Sequence, residues 1–566
     1  MVDQMFDKIA TNEIGSSFMP EEAASGTAAL PSLFGFDGNQ PKTNADLLKM
    51  ALEESEENRV YLRSSGKLDT LCARLMLEEH ESERCHLFAL LAAACKAQKK
   101  NREIVYEKMG LAAAVACLYD DKQTIANRIG ASSLLNEGMD EAGGVSAKCV
   151  SLICGDVGII VSLSKLLYAI SLSSEEDISA EVPLNFLRDL AKNDKTKQVI
   201  TAQLAEVTNF LNGEEHPVGA TVLAMTAKNA TSAVREAAVG ALSNLALSPK
   251  MRTSFCVTVQ TKDSKTGAAS GVQALLAVAR AHKTETPAAR TIALGTLMNA
   301  AIDTERKAVE VNPEEANDAN GVKREIAHFG GLPVLIALIS SEKDAVSPLP
   351  IKQRAAGLLS RCMGNPKCSK AVQEDSQNGA KVATQFVKFV MQQKQPFNVT
   401  SENKELAESV ADTATQLVRV LAGFSPAPAS VSGYVASLVA LLPQPQTDKS
   451  DGDRVNAKSV CMPPVKTSEV SCAHFAHRDS TLIANALKCM IQYLDSGSVE
   501  SVLAAGGLER LICCLANNNM FKTASVRKNA AAAMARIVKA DPKAMARCRE
   551  LRGMEILVEL GQTGKI

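Results

Sequence analysis

The side chains best suited to hold a metal are Cys461, Cys472, His474 and His477, a set of thiols and imidazoles within 17 residues. Thiolate and imidazole are the ligands zinc prefers. Their spacing matches no zinc finger, and no paired Cys-x-x-Cys knuckle accompanies them, so no metal is expected. The acidic stretch Glu314–Gly321 resembles a calcium loop, but Ala316 and Ala327 stand where the first and twelfth ligands belong. No phosphate-cradling Gly-x4-Gly-Lys-Ser/Thr run and no strand-following Gly-x-Gly-x-x-Gly occurs. The seven histidines are scattered. None sits in a local nucleophile–base–orienter set, and His86 and His328 read as structural. The expectation is a chain without catalytic residues and without a cofactor.

Chemistry of another kind lies in positions that repeat. Val234–Ala246, Ala289–Ala301, Ile351–Arg361 and Val526–Arg536 read as copies of one helix with small residues at its centre. Each copy has a basic residue nine positions before a polar one: Arg235 before Asn244, Arg290 before Asn299, Lys352 before Arg361, Arg527 before Arg536. Arg419 falls in the same slot by internal alignment. Earlier, Asn58-Arg59 and Asn101-Arg102 open matching segments 43 residues apart, within the 40–47 range of two- and three-helix repeats. A second element, Gly330-Gly331-Leu332-Pro333, recurs as Gly506-Gly507-Leu508, 176 residues on and close to four such periods. The first glycine suits a left-handed helix end, and Pro333 suits the first turn of the next helix.

This combination of a small-residue helix carrying Gly-x-Leu-x-Asn with Gly-Gly-Leu-Pro-x-Leu resembles the armadillo family. It covers about residues 46–565, with weaker copies in 119–230. The resemblance implies an all-α, right-handed superhelical solenoid over 46–566, after a non-repeat, partly extended tail at 1–45. Loop insertions are expected near 259–270, 304–322, 340–350 and 443–470, and no sheet. Family members bind extended segments or folded domains in a concave groove. Import receptors of that family line it with Trp and Asn. This chain has no Trp and only Asn244 and Asn299 in the Asn slot, which argues against that role. The resemblance places Asn244, Asn299, Arg361, Arg419 and Arg536 along a partner-binding groove. Asn both donates and accepts, which suits a peptide backbone; Arg is a fork of donors suited to carboxylates. The groove would be neutral near 244–299 and basic near 361–419. A competing expectation is that each Arg pairs with an acidic neighbour such as Glu405 or Glu408. Leu33, Phe34 and Phe36, in the tail, form a candidate docking motif beside the alternative of a plain leader.

Bulk properties agree with a helical stack. A chain of 566 residues exceeds a single core. Its residues are 46% hydrophobic but only 4% aromatic. The balance of 62 basic against 63 acidic residues gives a net charge of −1, without the basic excess of a nucleic-acid binder. No uninterrupted apolar run is long enough to insert in a membrane, and the N-terminus has no secretory pattern. The 15 cysteines are odd in number, and many fall in apolar helical patterns, which points to reduced thiols and a cytoplasmic protein. The function expected is a scaffold or adaptor that binds a protein partner. A regulator of small GTPases, a client-binding chaperone of the myosin-directed kind, and a ciliary or cytoskeletal assembly role are the alternatives.

Overall fold

A computed structural model describes residues 43–562 apart from 78–82, 109, 140–152, 174–177, 195, 197–198, 200–215, 228–229, 261–267, 303–320, 344–345, 376, 393–403, 426, 429, 444–479, 497–498 and 517–523. Leu33, Phe34 and Phe36, the Cys461–His477 set, and most of the 304–322 and 443–470 insertions lie outside the described residues. Among the described residues there are 27 α-helices and one two-stranded sheet. The chain forms two compact units, Met1–Leu275 and Leu276–Ile566.

Ten long helices recur at the end of each repeat. In the first unit they are α1 (Asn44–Glu54), α2 (Arg84–Cys95), α3 (Ile125–Glu137), α4 (Glu181–Lys192) and α5 (Ser232–Leu245). In the second they are α6 (Pro287–Ala300), α7 (Leu349–Met363), α8 (Lys404–Leu421), α9 (Ser480–Ser496) and α10 (Ala524–Ala540). Within each unit every one of these helices packs on the next in sequence order. A hydroxyl starts several of them. Thr43, Thr124, Thr231 and Thr286 each accept from the amide three residues on. An N-cap of this kind stabilises a helix by about 1 kcal/mol. Inside, Ala237, Ala238 and Ala241 of α5, and Ala289 and Ala293 of α6, are buried. Small side chains at these positions let neighbouring helices come close.

Other helices, most of them shorter, complete each repeat, and their motifs have visible tasks. Asn58 and Arg59, on the helix Glu56–Ser64, donate to the last carbonyls of α1, at Ala51 (2.9 Å) and Leu52 (2.5 Å). Asn101, one period on and fully buried, does the same to Ala94 of α2 at 2.7 Å. It also bonds the Arg59 carbonyl at 3.0 Å and accepts from Arg63 at 3.0 Å. These contacts satisfy helix-end carbonyls that have no intrahelical partner. The Gly-Gly element turns one short helix into the next. Gly330 is left-handed at φ 66°, and a Cβ on Gly331 would lie 2.7 Å from the Ile326 carbonyl. Gly330 avoids the strain a side chain carries at that φ, and Gly331 leaves no room for a Cβ.

One expectation needs correction. The insertion near 259–270 contains a sheet: β1 (Thr258–Gln260) pairs antiparallel with β2 (Ala268–Ser270). The β-branched run Val257-Thr258-Val259 resists helix and alternates along the strand, with Val259 buried and Thr258 and Gln260 exposed. The strands pack on the helix Pro217–Thr226. The 340–350 insertion is shorter than expected, because α7 already starts at Leu349 behind Pro348.

Candidate partner-binding face

The repeat slot read from sequence falls on α5 to α8 and on α10, and its side chains do different things in different helices. Asn244 of α5 is half-buried, and its amide donates to the Arg188 carbonyl of α4 at 2.9 Å. Arg361 of α7 donates from Nη1 to the Met298 carbonyl of α6 at 2.7 Å. Arg536 of α10 forms an ion pair with Asp495 of α9 and also reaches the Ile491 carbonyl. Asn244, Arg361 and Arg536 thus each hold the neighbouring helix through at least one donor. Asn299 is half-buried, and its side chain makes no hydrogen bond to a described residue. Arg419 of α8 is exposed and makes no ion pair among the described residues. The side chains of Glu405 and Glu408 lie outside those described.

The basic residue nine positions earlier is structural where it is best defined. Arg290 is 1% exposed. It donates to the carbonyls of Ala279 (3.0 Å) and Val346 (2.7 Å), tying α6 to the segments on either side. Arg235 donates to the Ala230 carbonyl just before α5.

The structure adds cations that the sequence reading left out. Arg354 lies seven residues before Arg361, two helical turns along one face of α7, and is exposed. Lys488 is exposed on α9; Lys528 and Lys539 are exposed on α10. Arg354 was legible through its spacing to Arg361. Lys488 was hidden because the long insertion before α9 breaks the register from which the slot was counted.

Cross-helix contacts fix the levels of these residues. Gln353 of α7 bonds Asp412 of α8 at 3.4 Å, and Gly357 faces Gln416. Arg419, seven residues beyond Asp412, therefore stands level with Ser360 and Arg361. Cys489 of α9 donates to the Val418 carbonyl at 3.5 Å, and Gln492 to the Ala422 carbonyl at 3.1 Å. Lys488 is thus level with Val418, beside Arg419. The result is a row of Arg361, Arg419 and Lys488 across three adjacent helices, all within one or two residues of the same height, or about 3 Å. Asp412 lies two turns away along α8 and is occupied by Gln353.

The titratable groups off this face are arranged for packing. Burial pushes the Cys72 thiol up to about 11 and the Cys489 thiol up to about 12. A raised thiol is the reverse of what a reactive cysteine needs. Of the twelve described cysteines, all but Cys85 and Cys256 are buried. His216 caps the helix Pro217–Thr226: its Nδ1 accepts from the Val218 amide at 3.2 Å, so the ring proton sits on Nε2, 3.3 Å from Ser254 Oγ. Desolvation lowers its pKa to about 4, which keeps the ring neutral. His328 is exposed, with its ring edge-on to Phe329 at 5.0 Å. Among the described residues no group of three or more His, Cys, Asp or Glu side chains is placed to hold a metal ion. Nor is any helix among them long and apolar enough to cross a membrane.

No protein-family model and no curated protein sequence matches the chain. Solved structures resemble it distantly. A crystal structure of an engineered protein is 19% identical over 56% of this chain and 97% of its own, with a TM-score of 0.34. A structure from work on a conserved phosphorylation switch in the interaction of cadherin and beta-catenin is 14% identical over 95% of this chain and 96% of its own, with a TM-score of 0.44. The fold described above rests on the chain's own contacts.

Proposed function

We propose that the chain is an armadillo-type repeat protein that binds a protein partner without catalysis, and that the outward side of α7–α9 is where the partner sits. One observation carries this reading: Arg361, Arg419 and Lys488 stand in a row, with Arg419 and Lys488 exposed and without an ion pair among the described residues. Three cations held at one height on rigid helices form a preorganised field for carboxylates, and Arg adds fork-shaped hydrogen bonding. The tasks of the other notable groups support a binding role. The described thiols are mostly buried, and His216 is used as a helix cap.

The test is comparative capture. The full chain and its Arg419→Glu/Lys488→Glu variant are used as baits in native extract, with circular dichroism verifying that both are folded. Proteins retained by the first and lost by the second are the expected result. An unchanged set of retained proteins would remove this face from the function.

A further inference from the structure

A serine or threonine followed by proline is the minimal mark that proline-directed protein kinases read. The sequence has four: Ser248-Pro249, Thr286-Pro287, Ser347-Pro348 and Ser425-Pro426. The structure separates them by what each hydroxyl is already doing. Ser248 and Ser347 are buried, and Ser347 donates to the Leu338 carbonyl at 2.8 Å. Thr286 is exposed, but its oxygen caps α6 by accepting from the Ala289 amide at 3.1 Å. Ser425 is exposed, and its hydroxyl makes no hydrogen bond to a described residue.

Ser425 is also held at a fixed place. It lies just beyond the end of α8, between Phe424 and Ala427, both of which are buried. Gln373, on the helix Pro366–Glu374, donates from Nε2 to the Gly423 carbonyl at 3.2 Å and to Ser369 Oγ at 2.8 Å. The bond to Gly423 clamps the connector after α8 onto that helix. Beside it opens a cavity of about 580 Å³, lined by Ser425 from the connector and by Pro366, Ser369, Lys370, Gln373 and Glu374 from the helix. The cation of this cavity is unengaged. Lys370 is exposed and makes no ion pair among the described residues, although Glu374 follows one turn on. Ser369 accepts from Gln373 and keeps its own proton for another acceptor. The helix thus offers an ammonium and a hydroxyl to an anion, across from a serine that carries none.

We infer that Ser425 is a phosphorylation site and that its phosphate seats in this cavity against Lys370. The phosphoryl donor is a nucleoside triphosphate bound to a proline-directed serine/threonine kinase. Ser425 Oγ forms a bond to the γ-phosphorus while the bond from that phosphorus to the β–γ bridging oxygen breaks. The nucleoside diphosphate leaves with the electron pair, and the hydroxyl proton passes to the base of the kinase. The product carries a charge of about −1.5 to −2 at pH 7 and three acceptor oxygens. Lys370 supplies the opposite charge and Ser369 a donor, so the ester fastens the connector to the helix Pro366–Glu374 a second time. Glu374 borders the cavity and repels the phosphate, which directs it toward Lys370. The site shares no residue with the row of Arg361, Arg419 and Lys488, and it holds whether or not a partner sits on that row.

The experiment incubates the folded full chain with a proline-directed kinase and magnesium ATP. Mass spectrometry maps the product, and phosphorus NMR follows the phosphate through a pH titration. Ser425 is expected to be labelled at least about tenfold faster than Ser248 or Ser347, whose hydroxyls need local opening first, and faster than the capping Thr286. Ser425→Ala should remove that label. The second pKa of the phosphate should lie below its ordinary value of about 6. Lys370→Gln should raise it by about half a unit and Glu374→Gln should lower it, both substitutions being at exposed positions and checked by circular dichroism. Faster labelling of Thr286, or labelling of Ser425 only in urea, would overturn Ser425 as the acceptor. A phosphate pKa unmoved by Lys370→Gln would overturn the cavity as its seat, and the inference with it.

Discussion

Asn244 on α5 and Arg419 on α8 occupy the same repeat position in the two units, and they are used in opposite directions. Asn244 turns inward along the row and holds α4 through the Arg188 carbonyl. Arg419 points to solvent. The surroundings differ in the same sense. On α4 the charged side chains come with both signs close together, as in the contact of Arg188 with Asp189 at 3.1 Å, and half-buried Glu181 lies on the same helix. On α7–α9 the row itself is all cationic. The same slot is a fastener between helices at Asn244 and is left facing solvent at Arg419. Other residues tie α8 to α7 there: Gln353 bonds Asp412.

The comparison can be broken or sharpened by experiment. The largest effect is expected at Asn101, where the fastening is most complete. Asn101→Leu leaves the Ala94 and Arg59 carbonyls and the Arg63 guanidinium without their amide partner. It should destabilise the first unit by about 3 kcal/mol, read as a lower urea midpoint. A loss below about 1 kcal/mol would show that the amide is not the fastener. Next, Asn244→Leu should cost about 1 kcal/mol, while Asn299→Leu, whose amide bonds no described residue, should fall within about 0.5 kcal/mol of the parent. Equal losses would erase the distinction between the two slots. Reversal of Arg188 to Glu should leave partner binding within about twofold, against a loss of about tenfold or more for Arg419→Glu. Similar losses from both would mean that the contact surface is not confined to the second unit.

A smaller effect separates the units by pH. The folded chain holds His216 neutral, with a pKa of about 4 against an ordinary value near 6.5. Between these values the unfolded chain binds more protons than the folded one, so stability falls as pH drops from about 6.5 toward 4. Protonation also removes the Nδ1 acceptor at the helix cap. His216→Asn keeps an acceptor there and removes the titration. The first unit of that variant should lose less melting temperature between pH 7 and pH 5 than the parent, and identical losses would assign the acid sensitivity elsewhere.

Much of the architecture was readable because repetition multiplies weak signals. Val234–Ala246 alone is an ordinary Ala-rich stretch; set against Ala289–Ala301 and Ile351–Arg361, it defines a helix, a period and a slot. The glycine pair at 330–331 was readable because a left-handed turn favours glycine at the first position and the close approach to Ile326 leaves no room for a Cβ at the second. The hairpin at Thr258–Ser270 was obscured by its length: three-residue strands leave almost no alternation to detect. The roles within the slot were not readable at all. Whether Asn244 or Arg361 faces outward depends on which carbonyl its neighbour offers, and that is set by helix register across insertions of unequal length. Lys488 shows this most clearly, since the Cys489 and Gln492 contacts are what place it beside Arg419.

The fasteners themselves have a consequence for how such a chain can change over time. The bonds that link one long helix or its short companion to the previous repeat span 42 residues at Asn101, 56 at Asn244, 63 at Arg361 and 71 at Cys489. The spatial task is the same while the intervening thread grows by more than half. Lengthening a loop from 42 to 71 residues adds only about half a kcal/mol of closure entropy. Insertions between repeats are therefore close to neutral for the stack, and the joints between helices are places where new sequence can be tried without dismantling what is already built.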